Sequence, residues 1–143
     1  MCKGGGSLAF DRKSRGERWG VATNEEIAAA VQAKGLIWLD VRTADEVAAR
    51  SLPASLKVKH CNVTMFSAKE LEAAAPTLLP NRSAPIMLFC AGGGRAQVAV
   101  KALQSNGYTG TLTNAGMIED LEEAVPDFLQ AAASKKKGSC IVM

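Results

Sequence analysis

The chain is predicted to be an α/β protein with a mainly parallel central sheet and helices on both of its faces. Two observations predict this fold: short apolar runs alternate with helical patterns, and the most apolar run, residues 86–89, leads through a glycine-rich loop into a helix. Parallel strands need crossover connections, which are usually helical, so such alternation is typical of these sheets. The 143 residues are enough for one domain with its own core.

Strands are predicted where short apolar runs lie between turn signals. There are four of them, over residues 36–40, 60–63, 86–89 and 112–114. Asp40 and Cys90 stand at the carboxyl ends of two of these strands. Ligands of open α/β sheets bind beyond that edge, so we expect both residues to lie at the functional site.

Helices are predicted where a capping residue precedes helical spacing. Thr23 or Asn24, Thr43 and Ser67 are the expected N-caps of three of them. Pro76 is expected in the loop that follows the third helix, because proline cannot donate a helical hydrogen bond. The predicted helices cover residues 24–33, 44–49, 68–74, 96–105 and 117–133.

A cysteine and a glycine-rich loop follow the strand at residues 86–89. After Cys90 the loop reads Ala91, Gly92, Gly93, Gly94, Arg95 and Ala96. Three glycines allow backbone N–H groups to point inward, and the start of the next helix adds positive potential. Together with the cation of Arg95, these features favour a thiolate. The pattern predicts a nucleophilic Cys90, with no metal and no cofactor.

Three segments of the chain match one known pattern. The loop fits C-x-x-G-x-R-S/A at Cys90, Gly93, Arg95 and Ala96. Residues 38–42, followed by Glu46, fit a strand that ends in D-V-R with a glutamate on the next helix. Residues 103–108 fit L-x-x-x-G-Y. Over about residues 21–128 the chain therefore resembles the single-domain rhodaneses, a family of thiosulfate:cyanide sulfurtransferases.

The resemblance implies a rhodanese-like fold and sulfur transfer by double displacement. The Cys90 thiolate would take the outer sulfur of a donor such as thiosulfate and hold it as a persulfide among the amides of residues 91–95. A thiol or cyanide would then accept it. Asp40 is expected to orient loop amides or to pair with an arginine. Arg42 and Glu46, four residues apart, are expected to pair with each other.

Two alternatives stay open. The fold could serve as a membrane-tethered binding or signalling module with little turnover. A phosphatase or arsenate reductase is less favoured, because C-x4-R between Cys90 and Arg95 is one residue shorter than the phosphate-binding C-x5-R loop. The chain also departs from the family's G-H-I-P-G-A, which here reads Arg50-Ser51-Leu52-Pro53-Ala54-Ser55. We therefore expect the rim of the pocket to differ from the family's.

The last four residues, Cys140-Ile141-Val142-Met143, form a CaaX box, and its methionine favours farnesylation of Cys140. One lipid anchors a protein only weakly, and a polybasic run supplies the second signal. Such a run stands just before the box, at Lys135, Lys136 and Lys137. We therefore predict that residues 134–143 are a polybasic tail that holds the protein at a cytosolic membrane face.

The remaining predictions follow from composition. Residues 1–19 are predicted to be a flexible basic leader and residues 20–133 the domain. With no signal peptide and no apolar run of membrane-spanning length, a cytoplasmic protein is expected. A net charge of +3 with two Trp, one Tyr and four Phe does not favour nucleic-acid binding. The four scattered cysteines predict neither disulfides nor a metal site, and we expect a monomer.

Overall fold

The computed structural model describes the backbone of residues 12–141 and the side chains of residues 12–134. In this part of the chain a four-stranded sheet lies at the centre, and all of its strand pairs are parallel. In spatial order the strands are β2 (Lys59–His60), β1 (Ile37–Asp40), β3 (Ile86–Phe89) and β4 (Leu112–Asn114). The predicted α/β fold with a parallel sheet is confirmed.

Seven α-helices surround the sheet in the described residues. They are α1 (Arg12–Trp19), α2 (Asn24–Ala30), α3 (Ala44–Ala49), α4 (Lys69–Leu78), α5 (Gly94–Ser105), α6 (Ile118–Ala124) and α7 (Pro126–Ile141). A 3-10 turn at Ala54–Leu56 adds to them. Thr23 and Thr43 cap α2 and α3 as predicted, each in a capping box closed by a glutamate three residues later.

The core lies on both faces of the sheet, because successive strand side chains point to opposite sides. On one face, α4 and α5 pack against Leu39, Ile86 and Leu88. On the other face, α2, α6 and α7 pack against Trp38, Met87 and Phe89. All four side chains of β3 are buried, as expected for a central parallel strand. Helices therefore cover both faces, as the sequence predicts.

Helix α4 differs from its prediction. It begins at Lys69 and runs to Leu78, so Pro76 lies inside the helix rather than in the following loop. Pro76 has no N–H to donate within the helix, and tertiary contacts hold α4 on both sides of it. Leu71 and Ala75 are buried in the core, and the Tyr108 hydroxyl donates to the carbonyls of Ala75 and Leu79 at 3.0 and 2.6 Å.

The prediction of a flexible leader is wrong for residues 12–19, which form α1. Two of the basic side chains that suggested a solvated segment are paired. Arg15 is buried against Asp120, and Arg12 donates to the Ala22 carbonyl at 2.8 Å. Because the carboxylate lies 105 positions along the chain, the local pattern does not reveal this contact. Residues 1–11 lie outside the described part.

The predicted polybasic tail lies almost wholly outside the described side chains. The backbone of α7 continues across the expected boundary at residue 133, but the side chains of residues 135–143, including Cys140, are not described. The lipidation of Cys140 stays a prediction. Within the described residues no helix is long and apolar enough to cross a membrane.

Candidate active site

Cys90 stands directly after β3, at the carboxyl edge of the sheet, and only 1% of its surface is exposed. Backbone bonds fix it on both sides. The Cys90 N–H donates to the Gly116 carbonyl at 2.8 Å, and the Val41 N–H donates to the Phe89 carbonyl at 3.1 Å. The thiol is therefore carried by the rigid centre of the fold and not by a mobile segment.

The loop after Cys90 turns a backbone donor towards the sulfur. The Gly93 N–H donates to Cys90 Sγ at 2.9 Å, and Gly93 adopts a φ of +116°, in the region that favours glycine. Helix α5 begins at the next residue, Gly94. Gly93 thus supplies one amide of the predicted cradle. A role for the other amides of residues 91–95 stays a prediction.

Asn114, at the end of β4, holds this loop in place and is absent from the sequence-based site. Its Nδ2 donates to the Gly93 carbonyl at 2.9 Å and to the Trp19 carbonyl at 3.0 Å, while its Oδ1 accepts from the Gly116 N–H. Asn114 is 4% exposed. An asparagine at the last position of a predicted strand was the available signal.

Helix α1 supports the loop from the outside, which the sequence also did not predict. Arg15 Nη1 donates to the Gly92 carbonyl at 3.2 Å while the same side chain pairs with Asp120. The Trp19 ring lies so close that a Cβ on Gly94 would stand 3.1 Å from it. The glycines therefore let α1 approach the backbone of the loop.

Arg95 lies near the thiol, but its guanidinium is held by a carboxylate. Its two terminal nitrogens donate to the two oxygens of Glu46 at 2.8 and 3.0 Å. The hydrogen bond that Arg95 donates to Glu46 is the main cause that raises the pKa of Arg95, and its interaction with Cys90 adds to it. Arg95 therefore acts electrostatically on both Glu46 and the cysteine.

The predicted ion pair of Arg42 with Glu46 is wrong, although Arg42 Nη1 donates to the backbone carbonyl of Glu46 at 3.3 Å. Arg42 instead forms a buried pair with Asp40, to which its Nε and Nη2 donate at 2.9 and 2.7 Å. Helix α3 begins only at Ala44, so Arg42 precedes the helix and helical spacing does not apply to it. The expectation that Asp40 pairs with an arginine is confirmed.

A cavity of about 170 Å³ opens beside the thiol. Cys90 and Ala91 line it, with Arg42, Glu46 and Arg50 from the β1–α3 region and Met117, Ile118 and Glu119 from the start of α6. Three larger cavities do not include Cys90: two of about 560 and 600 Å³ lie along α2, and one of about 330 Å³ lies beside Asp40 and His60. We take the cavity at Cys90 as the candidate active site because it contains the nucleophile.

The pair of Glu46 with Arg95 predicts a pH-dependent stability. The hydrogen bond from Arg95 is the main cause that lowers the pKa of Glu46 from 4.5 to about 2. A carboxyl whose pKa is lower in the folded than in the unfolded state stabilises the fold at pH values above its unfolded-state pKa. This stabilisation is lost as the pH falls towards the folded-state pKa. We expect Glu46→Gln to lose free energy of unfolding at neutral pH, and the difference from wild type to shrink between pH 4.5 and about 2. Urea unfolding across this range measures it, and a difference independent of pH would contradict the assignment.

Comparison with known proteins agrees with this geometry. Residues 23–123 match the family model described as "Rhodanese-like domain". The human single-domain sulfurtransferase TSTD1 superposes with a TM-score of 0.51 and 23% identity, over 71% of this chain and 95% of that one. Reduced CoADR-RHD of Bacillus anthracis superposes with a TM-score of 0.50 and 20% identity, over 75% of this chain and 17% of that one.

At these identities the two structures show a shared fold. Curated proteins give no significant match to the chain. The family model, however, spans most of the chain and contains both the loop at Cys90 and the Asp40–Arg42 pair. The protein therefore belongs to the family of rhodanese-like domains.

Proposed function

We propose that the protein is a sulfurtransferase that carries sulfane sulfur as a persulfide on Cys90. The observation that carries this proposal is the 2.9 Å hydrogen bond from the Gly93 N–H to Cys90 Sγ. A fixed backbone donor stabilises negative charge on sulfur, and both the thiolate and the persulfide bear such charge. Because strand β3 and Asn114 hold the loop, no rearrangement is needed to present the donor.

The reaction consists of two displacements at sulfur. First, the Cys90 thiolate attacks the outer sulfur of thiosulfate; a new S–S bond forms, the donor's S–S bond breaks, and sulfite leaves with the electron pair. Second, a thiolate or cyanide attacks the outer sulfur of the persulfide. The persulfide bond breaks, its electron pair returns to Cys90, and the acceptor leaves with the sulfur.

The size of the cavity supports a small donor. Ligand sites for drug-sized molecules typically enclose about 300–1,000 Å³, whereas the cavity at Cys90 encloses about 170 Å³. Thiosulfate or a similarly small sulfane compound suits this volume, and a bulky substrate would have to remain outside with only its sulfur entering.

The intact mass of the protein after incubation with thiosulfate tests the proposal. We expect wild type to gain one sulfur atom and to lose it when cyanide is added. Cys90→Ser should gain none. Cys61→Ser is the matched control, because Cys61 is a free, half-buried thiol outside the loop, and it should gain the sulfur as wild type does. Absence of any adduct from thiosulfate and other sulfane donors would contradict the proposal and favour the tethered binding module.

A further inference from the structure

The side chain of Arg50 crosses from the end of α3 to α6 beside the active-site cavity. Its guanidinium donates to Glu119 and, at 2.5 Å, to Glu122. Arg50 and Glu119 line the same cavity as Cys90. Because these three side chains are about half exposed, at 44%, 61% and 50%, the contact lies where the cavity meets solvent.

The backbone at this position is anchored, so the side chain is the part that can move. Arg42 Nη2 donates to the Arg50 carbonyl at 2.6 Å, which ties residue 50 to the buried Asp40–Arg42 pair. Residue 50 also differs from the G-H-I-P-G-A pattern of the family, which has a glycine at this position. Arg50 therefore adds a cation to the rim that the pattern does not provide.

Arg42 and Arg50, the two arginines that line the cavity, differ in how firmly they are held. The Arg42–Asp40 pair is buried, with side chains 7% and 3% exposed, and separating a buried pair is strongly unfavourable. The pairs of Arg50 are exposed and are worth little individually. An incoming anion can therefore recruit Arg50 at small cost, but not Arg42.

We propose that Arg50 is the specificity-determining residue of this cavity: Glu119 and Glu122 hold its guanidinium across the mouth, and an anionic sulfur donor enters by replacing them. The proposal deepens the proposed function, on which it rests, by naming the donor class. This class is small donors that carry an anionic oxygen group beside the transferable sulfur. The planar guanidinium suits such groups because it can donate two parallel hydrogen bonds.

Alkylation of Cys90 by a charged and a neutral probe tests this selection without requiring sulfur transfer. Iodoacetate and iodoacetamide present the same carbon, from which the thiolate displaces iodide as a C–S bond forms. The rate at Cys90 is read from the mass of its peptide, and the measured quantity is the ratio of the iodoacetate rate to the iodoacetamide rate. The probes are similar in size and differ chiefly in charge, and their different intrinsic reactivities cancel when the ratio of a variant is compared with that of wild type. A purely structural effect would therefore not move this ratio relative to wild type.

Three variants separate the possible roles of Arg50. Glu119→Gln/Glu122→Gln releases the guanidinium, and the ratio should rise by about three- to tenfold, the scale of an exposed ion pair. Arg50→Gln leaves two carboxylates without their cation, and the ratio should fall below the wild-type value. Arg50→Lys keeps the charge and should recover part of the ratio.

Glu25→Gln/Glu123→Gln is the matched control. It changes the net charge by the same amount at residues that line a different cavity. At about 0.15 M salt, distant surface charges are screened, so the ratio should stay near the wild-type value.

An equal rise in this control and in Glu119→Gln/Glu122→Gln would overturn the proposal. Equal acceleration of both probes would also overturn it, because the side chain would then be only a steric barrier. The absence of Cys90 alkylation in every variant would overturn the proposal as well.

If charge selection is found but no persulfide forms, Arg50 keeps its role and the sulfurtransferase proposal fails. If sulfur is transferred and the ratio does not respond, only the role of Arg50 fails.

Discussion

Replacing Gly93 by alanine is expected to abolish persulfide formation and to lower the free energy of unfolding by about 2–5 kcal/mol. Two effects add. The φ of +116° strains any residue that has a Cβ, and the new Cβ would lie 2.4 Å from Val21 Cγ2. Val21 is buried and β-branched, so it cannot turn away without disturbing its neighbours. The backbone donor to Cys90 would then move away from the sulfur.

Gly35→Ala is the matched control for this experiment. Gly35 also has a positive φ, of +76°, but nothing lies within 4 Å of its would-be Cβ. We expect it to lose only the backbone strain, about 1–2 kcal/mol, and to form the persulfide normally. Urea unfolding and intact mass measure both variants. If Gly93→Ala lost no more stability than Gly35→Ala, the close approach of Val21 to the loop would be refuted.

Replacing Asp120 by alanine is the second change with a large expected effect. Asp120 is 4% exposed and pairs with Arg15 at 2.5 and 3.0 Å, and its carboxylate also accepts from the Met117 N–H at 3.1 Å. Its removal leaves the charge of Arg15 buried, which costs about 3–5 kcal/mol of stability. Because Arg15 also donates to the Gly92 carbonyl, we expect persulfide formation to slow as well.

Glu123→Ala provides the comparison on the same helix. Its side chain is 65% exposed and 3.9 Å from Arg12, so its loss should cost less than about 1 kcal/mol. Thermal or urea unfolding of the two variants decides the point. Similar losses in both would mean that the Arg15–Asp120 pair contributes no more than an exposed one.

Local signals in the sequence predict the elements that bear the chemistry. The strands at residues 86–89 and 112–114 and the helix capped by Thr43 have their predicted bounds, because their apolar runs and capping residues are short-range features. The position of Cys90 at the carboxyl edge follows from these elements alone.

The pairing of charges could not be predicted in the same way. Arg15 meets Asp120 across 105 positions, and Arg95 meets Glu46 across 49. The four-residue spacing between Arg42 and Glu46 suggested the wrong ion-pair partner for Arg42, because helix α3 starts only after Arg42. Helix α4 likewise continues past Pro76, where Tyr108, from elsewhere in the fold, donates to the Ala75 carbonyl. Tertiary contacts decide such cases, and a single sequence does not show which residues meet.

The hydrogen bonds of Asn114, reaching both the Gly93 and the Trp19 carbonyls, have a consequence for transplanting the site. Residues 91–96 grafted onto another strand–helix junction would bring the thiol and the glycines but not the wall formed by α1 and β4. Without the contacts from α1 and β4, the Gly93 N–H would not be held towards the sulfur. A graft that keeps the reactivity of Cys90 would therefore need nearly the whole domain. A search for the same reactivity in other proteins should look for the asparagine and the helix as well as for the loop.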